Sequence, residues 1–327
     1  ISAGWNIHKE NFFRSFSNVV NSLKLRASYG ENGNVSGISQ YGLQGSYSTN
    51  KYNGSIGYLA GGLPFPNLLW ERSATYEIGL ESRLLDRVDF SVAYYDRKTT
   101  DKISSFTLPA TSGFTSLTTN NGSMQNKGVE VDLNYNVLRK RDLSINFSAN
   151  MAYNTNKVLK LPENGLLNNR IGGFEVYDPK SGQLIFVGGT QQGQDPNVAY
   201  AYVAQNLYRT QTDLDVDANR RDLLGAKVLV GPGIYSGMTT AQKATVFPIA
   251  LGDVKWQDVN GDGIINSFDR VKMGSTVPKW IGGFGANLKW KNLSLYSRFD
   301  YALGFVQYDG PRSWFLSNAQ GTFNTTD

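Results

Sequence analysis

The strongest constraint in this sequence is an alternation with a period of two. Between Gly128 and Asn154, Val129, Val131, Leu133, Tyr135 and Val137 fall on one side of an extended segment, and Glu130, Asp132, Asn134 and Asn136 on the other. After Arg139-Lys140-Arg141-Asp142 the alternation resumes, with Leu143, Ile145, Phe147, Ala149, Met151 and Tyr153 against Ser144, Asn146, Ser148, Asn150 and Asn154. Such a period marks a strand with unlike faces, and two runs joined by a polar turn make a hairpin. Each arm is long enough to cross a bilayer at a tilt. The apolar side can pack on a second sheet, as in a soluble sandwich, or face lipid in a barrel whose polar side lines the interior.

The recurrence of the pattern separates these readings. Strands are predicted from Leu23, Thr75, Val88, Gly128, Leu143, Gly282 and Leu293, with 1–20 a loop anchored by Trp5, Phe12, Phe13 and Phe16. Turns at Asp86, at 139–142 and at Lys291-Asn292 are tight, whereas 30–70, 98–126 and 156–277 are long connections. The last has room for strands or short helices of its own, and 213–224 has helix-compatible spacing. Short turns on one side and long loops on the other are the layout of an outer-membrane barrel. Tyr29, Tyr94, Tyr95, Tyr153, Trp280 and Trp290 gather near strand ends, where interfacial girdles form. Glu77, Glu81, Arg83, Glu130 and Asp132 occupy the polar faces, costly in a dry core and tolerable in a hydrated or plugged interior. The expected fold is all-β: part of a large transmembrane antiparallel β-barrel. An open sheet in lipid would leave backbone groups unpaired, so about seven strands must belong to a larger closed wall.

Composition narrows the function. Aromatics make up 13% and there are 35 glycines, which suits strands and turns. The absence of cysteine excludes a disulfide framework and thiol metal sites. Net charge is +5, but the cations are scattered, so no nucleic-acid footprint forms. The single histidine, His8, has no second histidine or cysteine to join it in catalysis, and no nucleophile, base and orienter come together elsewhere; the chain is not expected to be an enzyme.

Two groups of residues could bind something. Asp258-Val259-Asn260-Gly261-Asp262-Gly263-Ile264 through Asp269 has calcium-loop spacing: side chains of Asp258, Asn260 and Asp262 at positions one, three and five, the Ile264 carbonyl, and Asp269 at twelve. Asp269 stands where an EF-hand has Glu, and the flanks do not read as paired helices. The alternative is an Asx-rich turn that needs no ion. Loop aromatics Tyr41, Tyr47, Tyr52, Tyr58, Trp314 and Phe315 are the candidate substrate contacts.

Several segments, in order along the chain, resemble the SusC/RagA family of TonB-dependent outer-membrane transporters. They are Gly4-Trp5-Asn6-Ile7 with Glu10-Asn11-Phe12-Phe13, Ser22-Leu23-Lys24-Leu25-Arg26-Ala27-Ser28-Tyr29-Gly30 through Gly33-Asn34, Pro66-Asn67-Leu68-Leu69-Trp70-Glu71, Tyr94-Tyr95-Asp96-Arg97-Lys98-Thr99-Thr100-Asp101, Asn126-Lys127-Gly128-Val129-Glu130 and Gly252-Asp253-Val254-Lys255-Trp256 through Asp258-Val259-Asn260-Gly261-Asp262-Gly263. The resemblance implies a barrel of about 22 strands around an N-terminal plug, located in the outer membrane and surrounded by its lipid. It also implies import of a glycan or, less expected, a peptide, a SusD-like lipoprotein capping the outer face, and energy from the TonB–ExbB–ExbD system. Residues 1–327 are then expected to be a partial barrel domain, with plug, TonB box and closing strands lying elsewhere. Two other functions fit the residues alone: a β-rich carbohydrate-binding module, and a passive porin or adhesin barrel.

Overall fold

A computed structural model describes residues 1–36, 43–224 and 228–310. It divides into two compact units, 1–173 with 188–196 and 279–303, and 174–187 with 197–278 and 304–310.

The first unit is one antiparallel sheet of eight strands in spatial order of the chain: β1 (Ser2–Asn6), β2 (Val20–Asn34), β3 (Glu71–Leu84), β4 (Val88–Thr107), β5 (Ser116–Arg139), β6 (Leu143–Lys160), β7 (Trp280–Trp290) and β8 (Leu293–Leu303). Seven are the expected strands. The eighth corrects the reading of 1–20 as loop: Ser2–Asn6 pairs with Ser28–Lys24. It is followed by two 3₁₀ turns, Ile7–Lys9 and Asn11–Phe16, in which the His8 ring nitrogen accepts from the Leu23 amide. This connection is longer than the other turns at its end of the sheet, so the alternation of short and long connections is not strict.

The pairing keeps unlike residues on opposite faces across all eight strands. One row in register is Trp5, Leu25, Leu80, Val92, Val131, Met151, Gly282 and Tyr301. The next on that face is Ala3, Ala27, Ile78, Tyr94, Val129, Tyr153, Trp280 and Leu303, with Tyr153 and Trp280 ring centroids 4.4 Å apart. A row on the opposite face reads Lys24, Glu81, Ser91, Asp132, Asn150, Gly283 and Asp300. Among the described residues no second layer covers the apolar face: Val131, Phe147, Phe90 and Leu288 are not buried, and Phe299 is 58% and Trp290 54% exposed. A continuous apolar sheet face this large does not stand in water. The sandwich alternative is therefore not the fold.

Dimensions agree with a lipid wall. β7 has 11 residues, about 36 Å at roughly 3.3 Å per residue and about 25 Å of height at a 45° tilt. β4 and β5, of 20 and 24 residues, continue well past that height. The region 98–126 is thus mostly strand and not the loop expected from sequence. The period fails there because the register shifts between Thr99 and Lys102, where Asp101 takes φ +54°.

Gly128 shows why one motif residue is small. A Cβ there would stand 2.5 Å from the Tyr153 carbonyl oxygen and 2.6 Å from the Tyr95 ring, which lies over the glycine on the polar face. Tyr95 is accordingly not part of the lipid-side girdle. The carbonyl is backbone and cannot rotate away, so Gly128→Val should destabilise the wall by about 1–3 kcal/mol. Urea unfolding in detergent, followed by the gel shift between folded and heated protein, measures the loss.

The second unit replaces the expected long connection between β6 and β7. Its strands are short: Phe174–Asp178 pairs with Gln183–Val187, Val198–Ala201 with Val271–Ser275, and Ala204–Leu207 with Val254–Trp256. A mixed sheet orders Val246–Pro248, Val228–Val230, Arg221–Asp222 and Ile264–Ile265. The helix expected over 213–224 is a short one of six residues, Gln211–Val216, capped reciprocally by Thr210 and Asp213; beyond it the chain turns into the Arg221–Asp222 strand.

Candidate functional site

The sheet has two working surfaces. On its polar face, Lys24 and Arg26 meet Glu81 at 3.6 and 3.0 Å, Arg26 also pairs with Glu77, and Arg83 meets Asp89 at 3.3 Å. Further along, Asp132, Asn134, Ser148, Asn150 and Arg298 line a groove of about 240 Å³ whose floor is opened by Gly283 and Gly285. Lys24, Arg26, Glu77, Glu81, Arg83 and Asp89 are partly exposed and mutually paired, which suits a wet or plugged interior.

Above the strands, the connection between β2 and β3 carries a two-stranded hairpin, Ser46–Tyr52 against Ser55–Gly62. Thr49 pairs with Tyr58, and Tyr47 with Ala60, so Tyr47 and Tyr58 are diagonal neighbours on one face. They are 77% and 75% exposed, and Ile56 on the same face is exposed as well. Of the other candidate aromatics, Tyr41, Trp314 and Phe315 lie outside the described residues, as does the side chain of Tyr52.

In the second unit, the Asp258–Asp269 loop is built around its own amides. Asp258 accepts from Gly261 and Gly263 at 2.7 and 2.8 Å, Asp262 from Ile264 at 2.7 Å, and Asn260 from Asp262 at 3.1 Å. Gly261 and Gly263 take φ of +75° and +77°, which aims those N–H groups inward. Asp269 is fully buried and accepts from Val259 at 2.9 Å and Asn266 at 2.8 Å. Burial pushes its carboxyl above the usual carboxylate range, against the pull of those amides. Among the described residues no three His, Cys, Asp or Glu side chains converge to hold a metal. The side-chain oxygens of Asp258, Asn260 and Asp262 all accept hydrogen bonds from within the loop, which hold its shape with no ion present. Terbium titration should therefore show no saturable site below about 1 mM, the weak end of calcium loops; a site that Asp258→Asn abolishes would assign the loop to calcium.

Sequence reasoning missed a buried ionic cluster next to this loop in the same unit. Arg220 donates to Asp222 at 2.7 Å and to the Trp256 carbonyl at 2.6 Å. Lys255 pairs with Asp217 at 2.7 Å, and the Tyr208 hydroxyl donates to Asp217 at 3.2 Å. Tyr208 packs with Leu214, Ile249 and Leu229 as the apolar core. Burial raises the Asp222 carboxyl and the Tyr208 hydroxyl above their ordinary ranges. Only the polar spacing of Asp217, Arg220 and Asp222 hinted at it. Asp222→Ala leaves the buried Arg220 guanidinium with Asp217, at 3.9 Å, as its remaining carboxylate, at about 3 kcal/mol, the lower end for a broken buried pair; faster hydrogen exchange in 204–269, with the sheet unchanged, is the expected result.

The sequence profile described as "TonB dependent receptor-like, beta-barrel" matches residues 3–327. The chain belongs to that family. It is 30% identical over 316 residues to TonB-dependent receptor P26 of Formosa agariphila, covering 94% of this chain and 28% of that protein. TonB-dependent receptor SusC of Bacteroides thetaiotaomicron is 29% identical over 221 residues, covering 64% of this chain and 21% of SusC. Among solved structures, the RagAB peptide transporter superposes with a TM-score of 0.60 at 25% identity, over 93% of this chain and 29% of that one. The chain thus spans under a third of the length of these relatives. As a TonB-dependent receptor segment, the eight-stranded sheet is outer-membrane barrel wall, and its apolar face is the lipid face.

Proposed function

We propose that this receptor imports a large nutrient across the outer membrane, driven by the TonB–ExbB–ExbD system and working with a SusD-like surface lipoprotein. The cargo is a glycan or oligosaccharide. The carrying observation is the sidedness of the sheet: one apolar face in register over eight strands, an ion-paired polar face behind it, and extended strands and hairpins at one end only. A wall with a wet interior and an elaborated mouth suits capture followed by passage, with the residues binding and guiding and no bond being made or broken. The likeness to SusC supports the lipoprotein partnership.

Tyr47 and Tyr58 present two rings on one exposed face, a platform on which sugar rings stack. Tyr47→Ala with Tyr58→Ala should weaken oligosaccharide capture by about three- to tenfold, with the folded barrel intact. Equilibrium binding to the detergent-purified receptor, and growth of the carrying strain on the glycan as sole carbon source, measure it. A peptide cargo is the second reading, favoured by the superposition on the RagAB peptide transporter. Growth on peptides that is lost with the receptor, alongside unchanged growth on glycans, would replace the first reading with the second.

A further inference from the structure

The lipid face does not end at its aromatic row. Directly beyond Ala27, Ile78, Tyr94, Val129 and Tyr153 comes the row Tyr29, Tyr76, Asp96, Lys127 and Thr155, and beyond that Glu31, Ala74, Lys98, Gln125 and Lys157. The parity is unbroken, so Lys98 and Lys157 stand on the same outward side as the belt. From residue 153 to residue 157 the strand climbs about 13 Å, or about 9 Å at a 45° tilt. That is the depth of lipid headgroups.

The charges there are unequal. Lys127 is paired with Asp96 at 3.1 Å, and Gln125 donates to the same carboxylate at 2.8 Å. Lys98 and Lys157 are exposed and make no ion pair among the described residues. They flank Gln125 in one row, two strands apart, so their backbones are about 10 Å from each other. Lys157 also lines a cleft of about 380 Å³ with Leu159, Leu166, Asn168, Asn169 and Gln192, a lining that contains no carboxylate.

We propose that Lys98, Lys157 and this cleft bind the phosphorylated headgroup of an outer-leaflet glycolipid. Ammonium groups answer phosphate, carboxamides answer sugar hydroxyls, and the apolar belt two rows below receives the acyl chains. That continuity with the lipid face favours a membrane lipid over a soluble anion, which would use only the polar part. The proposal rests on the outer-membrane position of the wall and is independent of the cargo.

The test uses the intact receptor, purified and delipidated in a neutral detergent, with lipid binding read by native mass spectrometry. The probe is a bisphosphorylated, acylated glucosamine disaccharide. Lys98→Gln with Lys157→Gln should weaken its binding about thirtyfold, at roughly 1 kcal/mol per cation at a membrane surface. Lys98→Arg with Lys157→Arg should retain binding, and Lys289→Gln, on the opposite face, should leave it unchanged. The dephosphorylated glycolipid should bind weakly to receptor and variants alike. Equal binding of the phosphorylated lipid to receptor and double Gln variant would overturn the proposal. So would lysine-dependent binding of inorganic phosphate or an acidic oligosaccharide with none of the lipid.

Discussion

The structure depends on one demand that hydrocarbon makes of a backbone: every N–H and C=O inside it must be paired within the protein, because no water is there to take the place of a missing partner. The in-register ladder running from β1 to β8 meets that demand, and the side chains follow from it. Once pairing fixes the register, a one-residue slip would send Val129 and Val131 inward and Glu130 and Asp132 into lipid. The apolar rows through Val131 and Val129 and the polar row through Asp132 are therefore consequences of a single choice of register. Gly128 belongs to the same account, since two strands and the Tyr95 ring close over the space a side chain would need.

This explains which parts of the fold were legible in the sequence. Inside the lipid the two faces meet different solvents, so β2 to β8 announce themselves by alternation. Outside it both faces can be polar, and the signal fades. The upper part of β4 and β5 reads as loop because Asp101 resets the register and residues such as Thr118, Thr119 and Asn120 carry no contrast between faces. Ser2–Asn6 is too short to show a period. In the second unit the strands run from two to five residues, below the length at which any periodicity is measurable, and their stability comes from contacts between residues far apart in sequence.

The candidate sites divide along the same line. The Asp258–Asp269 loop is visible as spacing, because glycines and aspartates at fixed offsets encode a backbone shape; spacing alone does not say whether oxygens face an ion or the loop's own amides. The structure aims those oxygens at Gly261, Gly263, Ile264, Val259 and Asn266. Arg220 and Asp222 carry no such local code. They pair directly, two residues apart, but that the pair is buried and that Arg220 also donates to the Trp256 carbonyl on a distant strand only the folded chain reveals.

The two ends of the sheet face different chemical problems, and their residues differ accordingly. At the end of tight turns the chain needs only to reverse, and Leu85 and Asp86 do so with φ of +53° and +55°. At the other end the wall must leave hydrocarbon, cross the headgroups and present a surface to the medium. The order of residues on the outward face follows that passage: Val129 and Tyr153 within the belt, then the neutralised pair Lys127–Asp96, then Lys98 and Lys157 with no ion pair among the described residues. A pair that cancels is favoured where the dielectric is still low, and an uncompensated charge is tolerated only where water or an external anion can reach it. The gradient of charge pairing along the strand thus marks the membrane boundary independently of the aromatic girdle, and the two markers fall within two rows of each other.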